Sequence, residues 1–316
     1  MKIAIISDVH ANYPALLAVV NDAIENKVDS FIFVGDYIFD LPYPNETTEL
    51  IRSLKNAYVI KGNKEGYLTY LSLEDQSTWI HDQIGVIHQT FKELKPENLS
   101  YLNNLKEECY VPLPFHGKVY VTHYIKDLFG EQTKTDCNSS RFKKCMQEKP
   151  FTHEQFLSYV NDVINNERVR SMISEIDASI IIFGHSHLQW YGCCDDKLII
   201  NAGSCGQPLD CNPTAPYSIL EDTAVSLTVE EKRVPYDIEQ VISYSRTTEI
   251  YRKGSIWCEL VFSALRRGED TFSEFFKLAQ SIAKSKNEKS ALFSNETWAH
   301  AGELFFKSIK SKMKKS

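Results

Sequence analysis

The chain has 316 residues, 43 % hydrophobic and 12 % aromatic. That is ample for a real core and excludes a disordered or collagen-like chain. Lysine and arginine total 35 against 42 aspartates and glutamates, a formal net charge of -7, which argues against a globally basic nucleic-acid binder while leaving a local basic patch open.

Ile3 to Ile6 is a short apolar run closed by polar residues, as in a buried strand. Pro14 sits where a first helical turn would begin. Leu16, Leu17, Val20, Ala23 and Ile24 then recur at helical spacing, predicting a helix over about 14–26. Phe31 to Val34 is a second strand broken by Gly35-Asp36, Glu46 to Lys55 a helix, and Ala57 to Ile60 a third strand cut by Gly62-Asn63. This alternation implies βαβ units and a largely parallel sheet. Residues 67–107 have mostly helical texture, with one helix starting at Pro96.

Val119 to Thr122 is a fourth strand. A long connection over 124–177 follows, ending in an amphipathic helix through Phe156, Leu157, Val160, Val163 and Ile164. Ser179 to Phe183 is a fifth strand, and Gly184-His185-Ser186-His187 a sharp loop. Two hairpins come next, Gln189 to Cys194 with Lys197 to Asn201, and Tyr217 to Leu220 with Val225 to Val229. They predict a second, more antiparallel sheet. Beyond Pro235 the pattern turns helical and ends with five lysines in the last ten residues. A packed helical extension with a solvated end is the expectation there.

No run approaches the ~18 apolar residues of a membrane span, and the start MKIAIISD meets an acid too soon for a secretory signal. The eight cysteines contain no C-x-x-C pair. They read as reduced thiols in a cytoplasmic protein.

Each proposed buried strand is followed within a few residues by a carboxylate, amide or imidazole: Asp8 and His10, Asp36, Asn63, His123, then His185 and His187. Ligands bind beyond the carboxyl ends of strands in open α/β sheets, so these side chains are expected to converge at one edge. Each piece alone is ordinary; Gly-Asp is a common helix entry, Gly-Asn a common turn. Their order is what carries the signal. Mixed nitrogen and oxygen donors suit Mn, Fe or Zn better than Ca or Mg.

The series Asp8-Val9-His10, Gly35-Asp36, Gly62-Asn63, His123 and Gly184-His185-Ser186-His187 resembles the calcineurin-like metallophosphoesterase superfamily over residues 1–235. Asn201-Ala202-Gly203-Ser204-Cys205-Gly206-Gln207-Pro208 resembles a segment of its small prokaryotic phosphodiesterase branch. The resemblance implies a four-layer α/β/β/α sandwich of two mixed β-sheets, with the helical extension over 236–316 outside it and 124–177 as a long insertion or lid. It also implies two metal ions, Mn foremost with Fe, Zn, Ni or Co as alternatives. Asp8, His10 and His187 would hold one; Asn63, His123 and His185 would hold the other; Asp36 would bridge them. The implied reaction is hydrolysis of a phosphate ester, most readily a diester, by a hydroxide held between the ions.

The family usually reads Gly-Asn-His-Asp or Gly-Asn-His-Glu, and this chain reads Gly62-Asn63-Lys64-Glu65. The missing histidine normally contacts the phosphate and protonates the leaving oxygen. Lys64 is therefore expected to bind the scissile phosphate, as a poorer proton donor than an imidazole. The competing expectation has Lys64 in solvent and His81 or His88 reaching in. Asn12 is a second phosphate-contact candidate, with a helix-cap role beside it. Lys134, Arg141, Lys143 and Lys144 are candidates for a basic lid over an anionic substrate. The substrate class is a phosphate-ester small molecule or nucleotide. Nucleic acid is left open, a membrane partner is not expected, and oligomeric state is not readable. A phosphomonoesterase and a catalytically weak metal- or nucleotide-binding scaffold are the rival functions.

Overall fold

A computed structural model describes residues 1–125 and 158–313, apart from 159 and 163. Ten strands form two five-stranded mixed sheets among these residues. In chain order they are β1 (Lys2–Ile6), β2 (Ser30–Phe33), β3 (Ala57–Val59), β4 (Glu108–Pro112), β5 (Lys118–Thr122), β6 (Ile180–Phe183), β7 (Gln189–Cys194), β8 (Lys197–Ala202), β9 (Ala215–Asp222) and β10 (Leu227–Val234). The first sheet runs β10-β9-β1-β2-β3, the second β4-β5-β6-β8-β7.

Alternation along each strand builds the layers. Ile3 and Ile5 share one apolar cluster with Ile32 of their own sheet and with Val119, Val121, Ile180 and Ile182 of the other, so it lies between the sheets. Ala4, Ile6, Phe31 and Phe33 point the other way and pack with Leu16, Val19 and Val20 of helix α1 (Tyr13–Glu25). Ile181 and Phe183 pack with Val169 and Ile173 of a helix over Glu167–Glu175 on the far face. Helix, sheet, sheet, helix is the sandwich that the resemblance implies.

One expectation is corrected. The two hairpins do not form a sheet of their own. β9 and β10 extend the first sheet, with β9 antiparallel to β1 (Ile3 opposite Leu220), while β7 and β8 extend the second, with β8 parallel to β6. A short buried strand such as β1 needs a partner on each side, and local texture cannot say which distant strand supplies it. The strand ends that carry the expected ligands accordingly belong to two facing sheets. β4 is an addition: it falls just past the 67–107 stretch of helical texture, where no element was expected. As an edge strand it buries only Val111, and so leaves almost no period-two pattern.

The remaining helices are α2 (Pro44–Ser53), α3 (Asn63–Leu73), α4 (Gly85–Glu93), α5 (Pro96–Asn103), α6 (Glu167–Glu175, above), α7 (Ile238–Ser245), α8 (Glu249–Lys253), α9 (Ser255–Arg267), α10 (Phe272–Ser285) and α11 (Asn295–Met313). Helices α7 to α9 share one apolar cluster with Ala11, Leu41 and Val86. They pack directly on the loops that follow β1 and β2. The proposed basic residues Lys134, Arg141, Lys143 and Lys144 lie outside the described residues. Among the described residues no helix is long and apolar enough to cross a membrane. None of their cysteines forms a disulfide, and Cys194, Cys205 and Cys258 are buried.

Candidate metal centre

The loops after β1, β2 and β6 are held in an uncommon backbone conformation. Asp8, His10, Asp36, His185 and His187 all have positive φ, between 50° and 67°. Such residues persist only where the surroundings over-determine them, and they cluster at functional sites. The bracing is visible. Asp8 N donates to Gly35 O and His10 N to Asp36 O, tying the first two loops together. Asn201 Nδ2 donates to Gly184 O and Ser186 Oγ, and Ser204 Oγ donates to Asp8 O. The Asn201–Pro208 segment thus fixes two of the loops. Gly184 has no room for a side chain, because a Cβ there would sit 2.0 Å from Ser7 Oγ and 2.6 Å from Asp8 Oδ2.

Two clusters result. Donor atoms of Asp8, His10 and His187 lie within 4.8 Å of one another, as do those of Asp36, His123 and His185. His10 Nε2 is 3.1 Å from His187 Nε2, and Asp8 Oδ1 is 3.3 Å from His187 Nε2. Asn63 Oδ1 is 3.0 Å from His123 Nε2 and 2.9 Å from His185 Nδ1, and Asp36 Oδ2 is 3.5 Å from His123 Nε2. All seven sequence-predicted ligands therefore fall into two adjoining groups.

The donors are arranged as metal-binding groups would be. Asp8 Oδ2 accepts from Ser7 Oγ and His185 N, whereas Asp8 Oδ1 is buried with the imidazole of His187 beside it, 3.3 Å away. A buried carboxylate oxygen that faces only imidazole nitrogen is suited to sharing a cation with it. His123 Nδ1 faces Val34 O at 2.6 Å and His187 Nδ1 faces Gln207 O at 2.7 Å. A carbonyl only accepts, so Nδ1 carries the proton and Nε2 is aimed at the centre. His10 follows suit, its Nδ1 lying 2.8 Å from Asp40 Oδ2. Outer partners of this type fix the tautomer of a ligating histidine.

Charge balance points the same way. Burial opposes ionisation of Asp8 and Asp36, but the surrounding histidines hold both carboxyls below the usual carboxylate range. Against its own burial, His123 is pushed up to about 10 by Asp36, and His187 is raised by Asp8. His185 is pushed down to about 4 by burial and by His123. Without cations, then, a proton on His123 offsets the buried carboxylates at neutral pH, and Asp8 favours a proton on His187 as well. Cations must displace those protons, whereas His185 is already neutral. Cation binding is expected to release protons, and apparent affinity to climb as pH rises from 6 to 8. Calorimetry in two buffers of different ionisation heat measures the release; an affinity flat in pH would contradict it.

Lys64 turns inward. It is the second residue of α3, its Nζ lies 3.4 Å from Asp40 Oδ2, and it lines a cavity of about 340 Å³ with His10, Asp36, Asn63, His185 and His187. Burial works against its charge, but Asp40 and Asp36 raise its pKa above the ordinary lysine value. His81 and His88 do not enter: His81 Nδ1 contacts Phe293 O, and His88 stacks on Trp79. Asn12 is fully buried; its Oδ1 accepts from Ala15 N, and its Nδ2 donates to Gly206 O and Tyr236 Oη. Its polar atoms serve the cap of α1 and the brace, not the cavity.

Two acids have roles that the sequence does not disclose. Asp40 is buried and touches His10, Lys64 and, through Trp257 Nε1 at 2.7 Å, helix α9. Glu65 accepts from the backbone N–H groups of Asp36, Tyr37 and Gly62, pinning the second loop to α3. Burial and the Asp36 charge push its pKa up to about 7. Asp40→Asn keeps the shape and removes the charge behind His10. Metal affinity is expected to fall ~10–100-fold, read by competition with a chelator.

A family model described as calcineurin-like phosphoesterase matches residues 1–189. The chain belongs to the calcineurin-like phosphoesterases. These are hydrolases that use divalent metal ions, and this chain presents two residue groups that could hold a metal ion. An uncharacterized protein of Methanocaldococcus jannaschii is similar at 29 % identity over 254 residues, 75 % of this chain and 89 % of that one. Among solved structures, a metallophosphoesterase from Sphaerobacter thermophilus is 26 % identical with a TM-score of 0.58, covering 85 % of this chain and all (100 %) of that one. A hypothetical protein from Pyrococcus horikoshii OT3 shares the fold at 16 % identity and a TM-score of 0.59, covering 85 % of this chain and 99 % of that one.

Proposed function

We propose that this calcineurin-like phosphoesterase is a dinuclear phosphodiesterase acting on a small phosphodiester or nucleotide in the cytoplasm. The observation that carries the reading is two ligand clusters side by side in one cavity with Lys64. Asp8, His10 and His187 would hold one cation; Asn63, His123 and His185 would hold the other; Asp36 would be shared between them. The mixed donor set suits Mn, Fe or Zn better than Ca or Mg, and manganese is taken first among them from the family resemblance. Bound there, the cations supply Lewis acidity and a water-derived nucleophile at neutral pH.

The chain's own residues do the rest. Val34 O, Gln207 O and Asp40 hold three imidazoles in the ligating tautomer. Lys64 puts a fixed positive charge against the phosphate, where charge grows as the transition state forms. With no imidazole at that position, the leaving oxygen departs with little help, so good leaving groups are favoured. A diester also carries one negative charge fewer than a monoester. It asks less of a site with a single lysine.

Metal analysis and hydrolysis of a bis-aryl and a mono-aryl phosphate with Mn²⁺ test the reading together. Two ions per chain and a faster diester reaction are expected. A single ion would overturn the dinuclear centre, a faster monoester reaction the diester preference, and no hydrolysis of either ester the enzyme itself.

A further inference from the structure

The cavity has a wall that neither the strand ends nor the seven predicted ligands explain. Trp257 of α9 and Phe272, the first residue of α10, line it alongside His10, Lys64 and His185. Both rings are half-buried, their centroids 5.0 Å apart and their planes tilted by 42°. The chain's other tryptophans are differently placed: Trp190 and Trp298 are sealed in apolar clusters, and Trp79 stacks on His88.

The indole ring and the backbone that carries Phe272 are also held in place. Trp257 Nε1 donates to Asp40 Oδ1, and Asp40 Oδ2 contacts Lys64 Nζ, which lies 6.0 Å from the centroid of the indole ring. The backbone N–H of Phe272 donates to Asp270 Oδ1 at 2.8 Å. One network therefore fixes the lysine that faces the phosphate and the ring beside it. Half-exposed rings that line a charged cavity gain little from water. They gain when a flat apolar group covers them, and preorganised rings lose little freedom on covering it.

We propose that Trp257 and Phe272 form a subsite for a flat aromatic ring carried by the phosphate ester, a nucleobase or an aryl group. The proposal rests on the phosphoesterase reading and deepens it: helices α9 and α10 select the organic part of the substrate while the strand ends act on its phosphate. A base on an aromatic platform is worth a roughly tenfold gain in affinity, typically more.

Binding, not turnover, is the test, so its failure is separable from failure of the enzymatic reading. Calorimetry on the full chain loaded with Mn²⁺ compares phenylphosphonate with methylphosphonate, whose C–P bonds resist hydrolysis, and adenosine 5′-monophosphate with ribose 5-phosphate. At least one ring-bearing ligand should bind roughly tenfold tighter than its ring-free counterpart. The pair with the larger gain identifies the source of the ring. Trp257→Phe keeps a ring and removes the bond to Asp40, and should retain the preference. Phe272→Leu should shrink it, and Trp257→Leu with Phe272→Leu should erase it. Equal affinity within both pairs for the unaltered protein overturns the subsite, as does a preference that survives the double substitution. Either result would leave Mn²⁺-dependent hydrolysis to be judged on its own.

Discussion

Asp36→Asn is expected to leave the fold intact, lower metal content from two ions to one or fewer, and reduce hydrolysis by more than the ~100-fold that loss of an outer partner can cost. The reason lies in how the carboxylate is divided. Asp36 Oδ1 accepts from Lys64 N at the start of α3, and Asp36 Oδ2 faces His123 Nε2. An amide oxygen still caps Lys64 N, so the structural half survives. The charge does not, and with it goes the group that would hold two cations together. Asp36→Ala removes both halves and also strands a buried N–H, so it should add a loss of stability of ~1–3 kcal/mol. Thermal unfolding without metal separates the two: Asn below the unaltered protein by the lost pairing with His123, Ala lower still. An Asn variant that still carries two ions and full activity would show that Asp36 shapes the loop and nothing more.

The same residues show what a sequence can and cannot disclose. Asp8, His10, Asp36, Asn63, His123, His185 and His187 were legible because each follows a short apolar run, and the strand geometry brings run ends together whatever the distance along the chain. Asp40 was not. It is one more acid in GDYIFDLP, and what makes it matter is an indole 217 residues away that donates to it. The pairing of β1 with β9 was hidden for the same reason, since Ile3 opposite Leu220 leaves no trace in local periodicity. Asn12 shows the reverse limit. Its type and place fit a phosphate contact, but Gly206 O, Tyr236 and the end of α1 engage its polar atoms. Glu65 was visible as part of a motif, while its work, gripping three backbone N–H groups, appears only in the folded chain.

Lys64→Ala is the second substitution with a large expected effect, a fall of ~10²-fold in kcat, the scale set by removal of one transition-state donor. Lys64→His tells more. Burial disfavours the Lys64 charge, but Asp40 and Asp36 outweigh it and hold its pKa above the usual lysine value. The side chain therefore remains a cation across the neutral range. It attracts phosphate but does not give up its proton to a departing oxygen. Histidine reverses those properties, with weaker fixed charge and a proton it can release near pH 7. Across a series of aryl diesters, log kcat for the unaltered enzyme should fall steeply as the leaving group becomes more basic. In Lys64→His the slope should flatten, so that the variant loses ground on good leaving groups and gains on poor ones. Such a crossing separates proton donation from simple attraction, since a lysine that only packed against Asp40 would shift every ester alike. Parallel lines for the two enzymes would remove Lys64 from the chemistry of the leaving group.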